Sequence, residues 1–243
     1  SRTWIDNAPF AGAYAALSVV ALISMALMSR IPFPPIANTQ GAQGGRPLRE
    51  IIRQPAFIVA VASCALGYGV MNLLMAATPI AMAQCKHPFS AAALVLEWHV
   101  LAMFVPSFFT GSLIKRVGAW PIMAVGVVLN VVCIAVALSG VDLMNFLVAL
   151  MALGVGWNFL FIGGTTLATE TYRPEEKTRA QAVIDFSVYA TMTVTAFSSG
   201  ALVTTGGWAS MNLGSLLPMA LLIGALAWLK LGAHQRPGGA PGV

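Results

Sequence analysis

Four polar residues sit inside runs of apolar sequence, where polar groups are costly. Glu97 and His99 lie in the run Ser90–Ile114, Asn72 in Pro55–Ala83, and Asn158 in Leu143–Thr169. An ionisable side chain at bilayer depth is costly enough to be a functional candidate by default. Glu97 is seven residues into its run, roughly 10 Å from the outer end at about 1.5 Å per residue. On a functional reading, Glu97 takes and releases a proton, and His99 relays it or touches a solute. On a structural reading, Glu97 reaches a watery vestibule and His99 bonds a neighbouring helix. An amide offers two donors and an acceptor without the cost of charge. Asn72 and Asn158 therefore either hold a polar group of a ligand or bond helix to helix. Tyr68, Met71, Met75, Trp157 and Phe161 stand beside them, as the lining of an apolar pocket or as plain packing.

A catalytic set is absent from the sequence. There is no Ser-His-Asp arrangement at depth, no paired intramembrane Asp, no His-Glu metal motif and no phosphate-binding Gly loop. Cys64, Cys85 and Cys133 are dispersed without metal-ligand spacing. The reading is of a protein that is not an enzyme and holds no cofactor and no metal.

The elements that position these residues follow from composition. Of 243 residues, 58% are hydrophobic and 9% charged, against about 25% charged in a soluble domain. So few charges cannot cover a water-soluble fold of this length, and the solvent for most of the chain is lipid. The net charge of +5 is carried by residues beside apolar runs, which marks topology rather than a nucleic-acid footprint.

A bilayer core needs roughly 20 apolar residues in helix. Seven runs meet this: Phe10–Ser29, Pro55–Ala83, Ser90–Ile114, Ala119–Leu138, Leu143–Thr169, Ala180–Thr204 and Leu213–Leu231. Their Ala, Leu, Val, Gly and Met content suits helices packed on helices. The expected class is an all-α polytopic membrane protein. Between the first two runs, residues 31–54 are rich in Pro and Gly and read as a linker, ending in a short amphipathic piece at 47–54. The chain opens on Ser1 without a signal-peptide pattern, and is expected to be a fragment or a processed chain.

Six of the 13 basic and 8 acidic residues fall between Glu170 and Arg179. If the seven runs alternate across the bilayer, eleven basic residues share one side: Arg30, Arg46, Arg49, Arg53, Lys115, Arg116, Arg173, Lys177, Arg179, Lys230 and Arg236. Only Arg2 and Lys86 fall on the other. The positive-inside rule makes the first side cytoplasmic. Gln84–Phe89, Gly140–Asp142 and Thr205–Asn212 then face outward, and Trp4, Trp120, Trp208 and Trp228 mark the interfaces. Asp185 begins the sixth run and is expected to pair with Arg179 or Arg116. The pair is either a gate latch or a static contact near a helix N-terminus.

The second run carries Gly67, Gly69, Asn72 and Thr78, and the fifth carries Gly154, Gly156, Asn158 and Thr165. The order recurs with a one-residue offset, in runs of opposite direction. The last six runs then read as two three-helix units in an inverted repeat, as in many transporters, or the match is a coincidence of common membrane glycines.

With its short loops and central linker, the chain from Ile31 onward resembles the carboxy-terminal half of a major facilitator superfamily transporter. Gly111-Ser-Leu-Ile-Lys-Arg-Val-Gly118 is similar to the family's G-x-L-a-D-r-x-G turn. Gly111, Leu113, Arg116 and Gly118 match, while Lys115 replaces the Asp. Glu170, Arg173 and Arg179 lie in a loop that looks like the tenth-to-eleventh helix turn of bacterial drug- or metabolite-type members. Trp98–Gly111 is also similar to those members.

The resemblance implies residues 1–30 as a helix left from the N-terminal half, 31–54 as a cytoplasmic linker, 55–232 as a six-helix bundle and 233–243 as a cytoplasmic tail. It implies proton-coupled transport of a small organic solute by alternating access, in a bacterial inner membrane, with the N-terminal half as the missing partner. Asn72 and Asn158 then face the central cavity. The rival readings are a seven-helix receptor or light sensor, and a membrane scaffold. Against the sensor, no Lys is buried in the last run, where Lys230 is at the end.

Overall fold

The computed structural model describes residues 11–32 and 45–234. Trp4, Arg2, half of the expected linker and residues 235–243 of the expected tail lie outside them. The chain divides into two compact units, Ser1–Gln43 and Gly44–Val243. In the first, α1 (Ala11–Met28) is apolar around its whole circumference, which suits a helix surrounded by lipid.

The second unit is a helical bundle. It contains α2 (Leu48–Ile52), α3 (Pro55–Gln84), α4 (Phe89–Phe104), α5 (Ser107–Val117), α6 (Ala119–Ser139), α7 (Leu143–Thr169), α8 (Lys177–Thr205), α9 (Gly207–Gly214) and α10 (Leu216–His234). Seven stretches of the described residues are long and apolar enough to cross a membrane, with α4 and α5 forming one and α9 and α10 another.

The expected third run is therefore not one straight helix. Pro106 lacks an N–H and its ring meets the carbonyl one turn back, so the helix breaks there. The Pro106 carbonyl accepts the N–H groups of Phe109 and Thr110, and the one Thr110 hydroxyl hydrogen lies between this carbonyl and Asn158 Oδ1. The last run also differs. Thr205–Asn212, expected as an outward loop, is mostly helix, because Gly207 takes a φ of +75° and reverses the chain almost at once. This makes Trp208 a core residue instead of an interface anchor. Its Nε1–H donates to the Ala137 carbonyl at 3.2 Å, and its ring lies 5.3 Å from Phe146.

At the centre, α3 packs on α7. Helix α7 also packs on α4 and α6, and α3 on α8 and α10, while α10 closes against α6. A close crossing joins α6 and α7. A Cβ on Gly126 would lie 2.9 Å from the Gly156 carbonyl oxygen, and one on Gly156 3.0 Å from the Gly126 oxygen. Small residues here let backbone meet backbone.

The antiparallel helices sort the polar loops to two ends. At one end His87 Nε2–H donates to the Val141 carbonyl. At the other are the turn between α5 and α6, the charged turn between α7 and α8, the start of α3 and the end of α10. There Trp120 donates to the Leu226 carbonyl at 2.9 Å, and Lys230 Nζ lies 4.4 Å from the Trp120 ring centre. The basic residues of the described bundle thus gather at one end, with Lys86 at the other.

Candidate functional site

The central helices bring the aromatic candidates together. Tyr68 on α3 meets Trp157 and Phe161 of α7 edge-on, at 5.1 and 5.7 Å between ring centres. Trp157 and Phe161 stack on each other at 5.3 Å, and Phe104 of α4 adds an edge at 6.2 Å from Trp157. Such offset and edge contacts are the favourable geometries for aromatic pairs. Trp157 is buried within this group and its Nε1–H has no described partner. Tyr68 and Phe161 are half-buried and form the accessible face. Met71 is 2% exposed, so the expectation that it lines the cavity gives way to packing: it stands three positions from Tyr68 and joins the core.

The two asparagines divide in role. Asn158 is 1% exposed, and its amide is fully engaged. Its Nδ2 donates to the Met103 carbonyl at 2.8 Å and to Ser107 Oγ at 2.6 Å, while Oδ1 accepts from Thr110 Oγ1 at 2.8 Å. These bonds tie α7 to the broken helix α4–α5 on both sides of Pro106. Both amide hydrogens are spent on these bonds, and the oxygen is buried against α5 in this conformation. Asn72 is half-buried. Its Nδ2 donates to the Met192 carbonyl at 3.2 Å and to Thr195 Oγ1 at 3.0 Å on α8, and its Oδ1 accepts from no described residue.

Glu97 and His99 do not form a relay. Two positions along a helix is about 200° of rotation, and the pair faces opposite ways. His99 is fully buried and its Nδ1–H donates to the Leu150 carbonyl at 2.7 Å. Glu97 is exposed and borders an open groove of about 570 Å³ lined by Ala93, Leu96, Val100 and Leu101.

At the charged end the structure assembles a group that the sequence pattern did not single out. Glu176 is the end of a 3-10 turn, Pro174–Glu176, and its side chain is fully buried. Its Oε1 accepts from the Arg46 backbone N–H at 2.7 Å and from Arg46 Nε at 3.0 Å. Its Oε2 accepts from Arg46 Nη2 at 2.8 Å and from the Arg173 N–H at 2.9 Å. Arg46 Nη2 and Gln54 Nε2 both donate to the Thr171 carbonyl at 2.9 Å. The hydrogen bond to Glu176 raises the Arg46 pKa above its usual value. The clue available in sequence was the three-residue spacing of Arg173 and Glu176, the signature of a side chain reaching back to a helix start.

Among the described residues Arg46–Glu176 is the one salt bridge. The expected Asp185 pair with Arg179 or Arg116 is not formed. Six residues along a helix is about 240° out of phase, so Arg179 points elsewhere, and Asp185 instead accepts from Gln181 one turn back at 2.8 Å. Arg116, Arg173, Arg179 and Glu170 are exposed. Gly118 has a φ of +90° and needs glycine, whereas a Cβ on Gly111 would meet nothing within 4 Å. Among the described residues no group of His, Cys, Asp and Glu has the arrangement of a metal site.

The sequence profile of the Major Facilitator Superfamily matches residues 68–242. Riboflavin transporter RfnT of Brucella anthropi is 41% identical over 214 residues, covering 87% of this chain and 54% of that protein. Two uncharacterized MFS-type transporters of Bacillus subtilis are also similar. YddS is 27% identical over 187 residues (76% of this chain, 43% of its own length), and YdeG 30% over 164 residues (66% and 38%). The chain spans about half the length of the curated relatives it matches. With the family profile matched over more than half of its residues, the chain belongs to the Major Facilitator Superfamily.

Proposed function

We propose that this chain is the carboxy-terminal half of a proton-coupled secondary transporter that moves riboflavin or a similar flat heterocycle by alternating access. The observation that carries the reading is the 41% identity to a riboflavin transporter along 87% of the chain. In this reading residues 1–30 belong to the N-terminal half, 31–54 link the halves in the cytoplasm, 55–232 form the C-terminal bundle and 233–243 a cytoplasmic tail. The end rich in Arg and Lys is cytoplasmic by the positive-inside rule, in the inner membrane of a bacterium.

An inverted repeat of α3 to α6 on α7 to α10 is part of the proposal. Exchanging α3 with α7, α4 with α8 and α6 with α10 turns the pair α3–α8 into α7–α4, and α7–α6 into α3–α10; all four pairs pack. Asn72 and Asn158 follow the same exchange, since one bonds α8 and the other α4. The short run of glycines in each central helix supports the same correspondence.

The test is uptake of labelled riboflavin into liposomes holding the full-length transporter that carries this chain, with an inward-acid and an inward-alkaline gradient. Gradient-sensitive uptake supports the proposal. Absence of flavin uptake under both gradients rules out the substrate, and gradient-insensitive uptake rules out proton coupling. The half alone is expected to be inactive, because a site between two halves needs both.

A further inference from the structure

We infer that the face of α3 between α7 and α8 is the part of the site that reads the imide edge of a flat heterocycle, with Tyr68 as donor, Asn72 as acceptor and Phe161 as the ring it stacks against. The inference rests on the flavin reading above and goes beyond it by assigning the recognising atoms.

The geometry begins with spacing. Tyr68 and Asn72 are four residues apart on α3, so they lie one above the other on a single face. Tyr68 is thirteen residues past Pro55, about 20 Å along the helix, which is mid-membrane depth. Helix α3 packs on both α7 and α8, and the two residues lean to different walls: Tyr68 toward Trp157 and Phe161, Asn72 toward Met192 and Thr195. Both residues are half-buried, so this face of α3 is partly accessible.

The free valences on this face have a definite sense. Both hydrogens of the Asn72 amide are engaged on α8, which fixes the amide plane and leaves Oδ1 as an unengaged acceptor. The Tyr68 hydroxyl bonds no described residue, and it is free to donate. A free donor and a free acceptor on one helix face suit a ligand edge that carries both a carbonyl and an N–H. An imide presents that pair, and the pyrimidinedione ring of a flavin carries an imide. The ring itself needs an aromatic face, and Phe161 is half-buried beside Tyr68 while the fully packed Trp157 holds both in place. The corresponding amide at Asn158 is consumed by three helix bonds, so the recognising asparagine is on α3 alone.

The experiment measures binding of riboflavin and of 3-methylriboflavin, which lacks the imide hydrogen, to the full-length transporter by quenching of flavin fluorescence. Losing one satisfied hydrogen bond costs about tenfold in affinity. The wild type is expected to bind riboflavin about tenfold more tightly than the methylated analogue. Asn72→Ala should weaken riboflavin by a similar factor and leave the analogue unchanged, erasing the preference. Tyr68→Phe, which keeps the ring contacts, should weaken both ligands. If the wild type binds both flavins equally, or Tyr68→Phe changes neither, the inference fails while the flavin reading stands. If the wild type binds neither flavin, the flavin reading fails and takes the inference with it. The comparison of the two ligands on the wild type needs no variant, so a poorly folding Asn72 variant does not protect the inference.

Discussion

Asn72 and Asn158 each send an amide N–H to a methionine carbonyl on a flanking helix, Met192 on α8 for one and Met103 on α4 for the other. The likeness ends at the oxygen. Asn158 Oδ1 accepts from Thr110, whereas Asn72 Oδ1 is unengaged. Replacing Asn158 by Leu strips the Met103 carbonyl of its amide donor and leaves the buried Thr110 hydroxyl with the Pro106 carbonyl alone. The expected loss is about 1–3 kcal/mol of stability, the cost of an unsatisfied buried group, read as a lowered unfolding temperature of the purified protein in detergent. Asn72→Leu should cost less, because the residue is half-buried. Equal losses would contradict the division of roles.

The α6–α7 crossing gives a steric prediction. A Cβ on Gly156 would fall 2.5 Å from Asn130 Nδ2 and 3.0 Å from the Gly126 oxygen. The second neighbour is backbone and cannot rotate away, so the helices must separate. Gly156→Ala is expected to destabilise by about 1–3 kcal/mol, the range for overpacking. At Gly224, a Cβ would meet nothing within 4 Å, and Gly224→Ala should be neutral or slightly stabilising by helix propensity. A thermal-shift series in detergent distinguishes them, and similar shifts for the two would sink the close-contact argument.

The clamp at the charged end predicts a coupled pair. Glu176 accepts four hydrogen bonds, three of them from Arg46. Arg46→Ala removes the guanidinium donors and leaves a buried carboxylate that keeps only its two backbone donors, so it should lower the unfolding temperature by several degrees and speed protease cleavage near residue 46. Glu176→Gln should do the same with less severity, since the amide buries no charge and its single oxygen still accepts one of the two backbone N–H groups. The double variant should be no worse than the sum of the two singles and closer to one of them, as for residues that act on each other. Strict additivity would mean that the contact carries no coupling.

These cases show what could be read in advance. Helix number, direction and the clustering of basic residues were legible, because bilayer length and charge cost act on composition alone. The break at Pro106 was not read, because a run of apolar residues hides a kink that a single missing N–H creates. The site was legible in part. Periodicity placed Asn72, Asn158, Tyr68 and Trp157 on the central helices, but burial of Asn158 and Met71 depends on which neighbour each face meets. The Arg46–Glu176 pair was not legible, because it joins residues 130 positions apart that no local pattern relates. Asp185 was misassigned for a geometric reason that spacing could have supplied: Gln181, not Arg179, stands one turn away.

Glu97 gives the remaining prediction, and it turns on exposure. A carboxylate on an otherwise apolar stretch of α4 borders an open groove, while its neighbour His99 is locked to the Leu150 carbonyl on the far side of the helix. A charge at that depth needs water or a partner, and the groove lies on a surface of the bundle rather than in its core. If Glu97 carries the coupled proton, Glu97→Gln mimics its neutral form permanently. Uptake driven by a pH gradient should then be abolished, while exchange of labelled for unlabelled solute, which needs no net proton movement, should persist. His99→Gln should instead lower stability by breaking the α4–α7 bond, with coupling kept in whatever protein folds. Gradient-driven uptake that survives Glu97→Gln would remove the residue from the proton path and leave it as a group that meets water or the other half of the transporter.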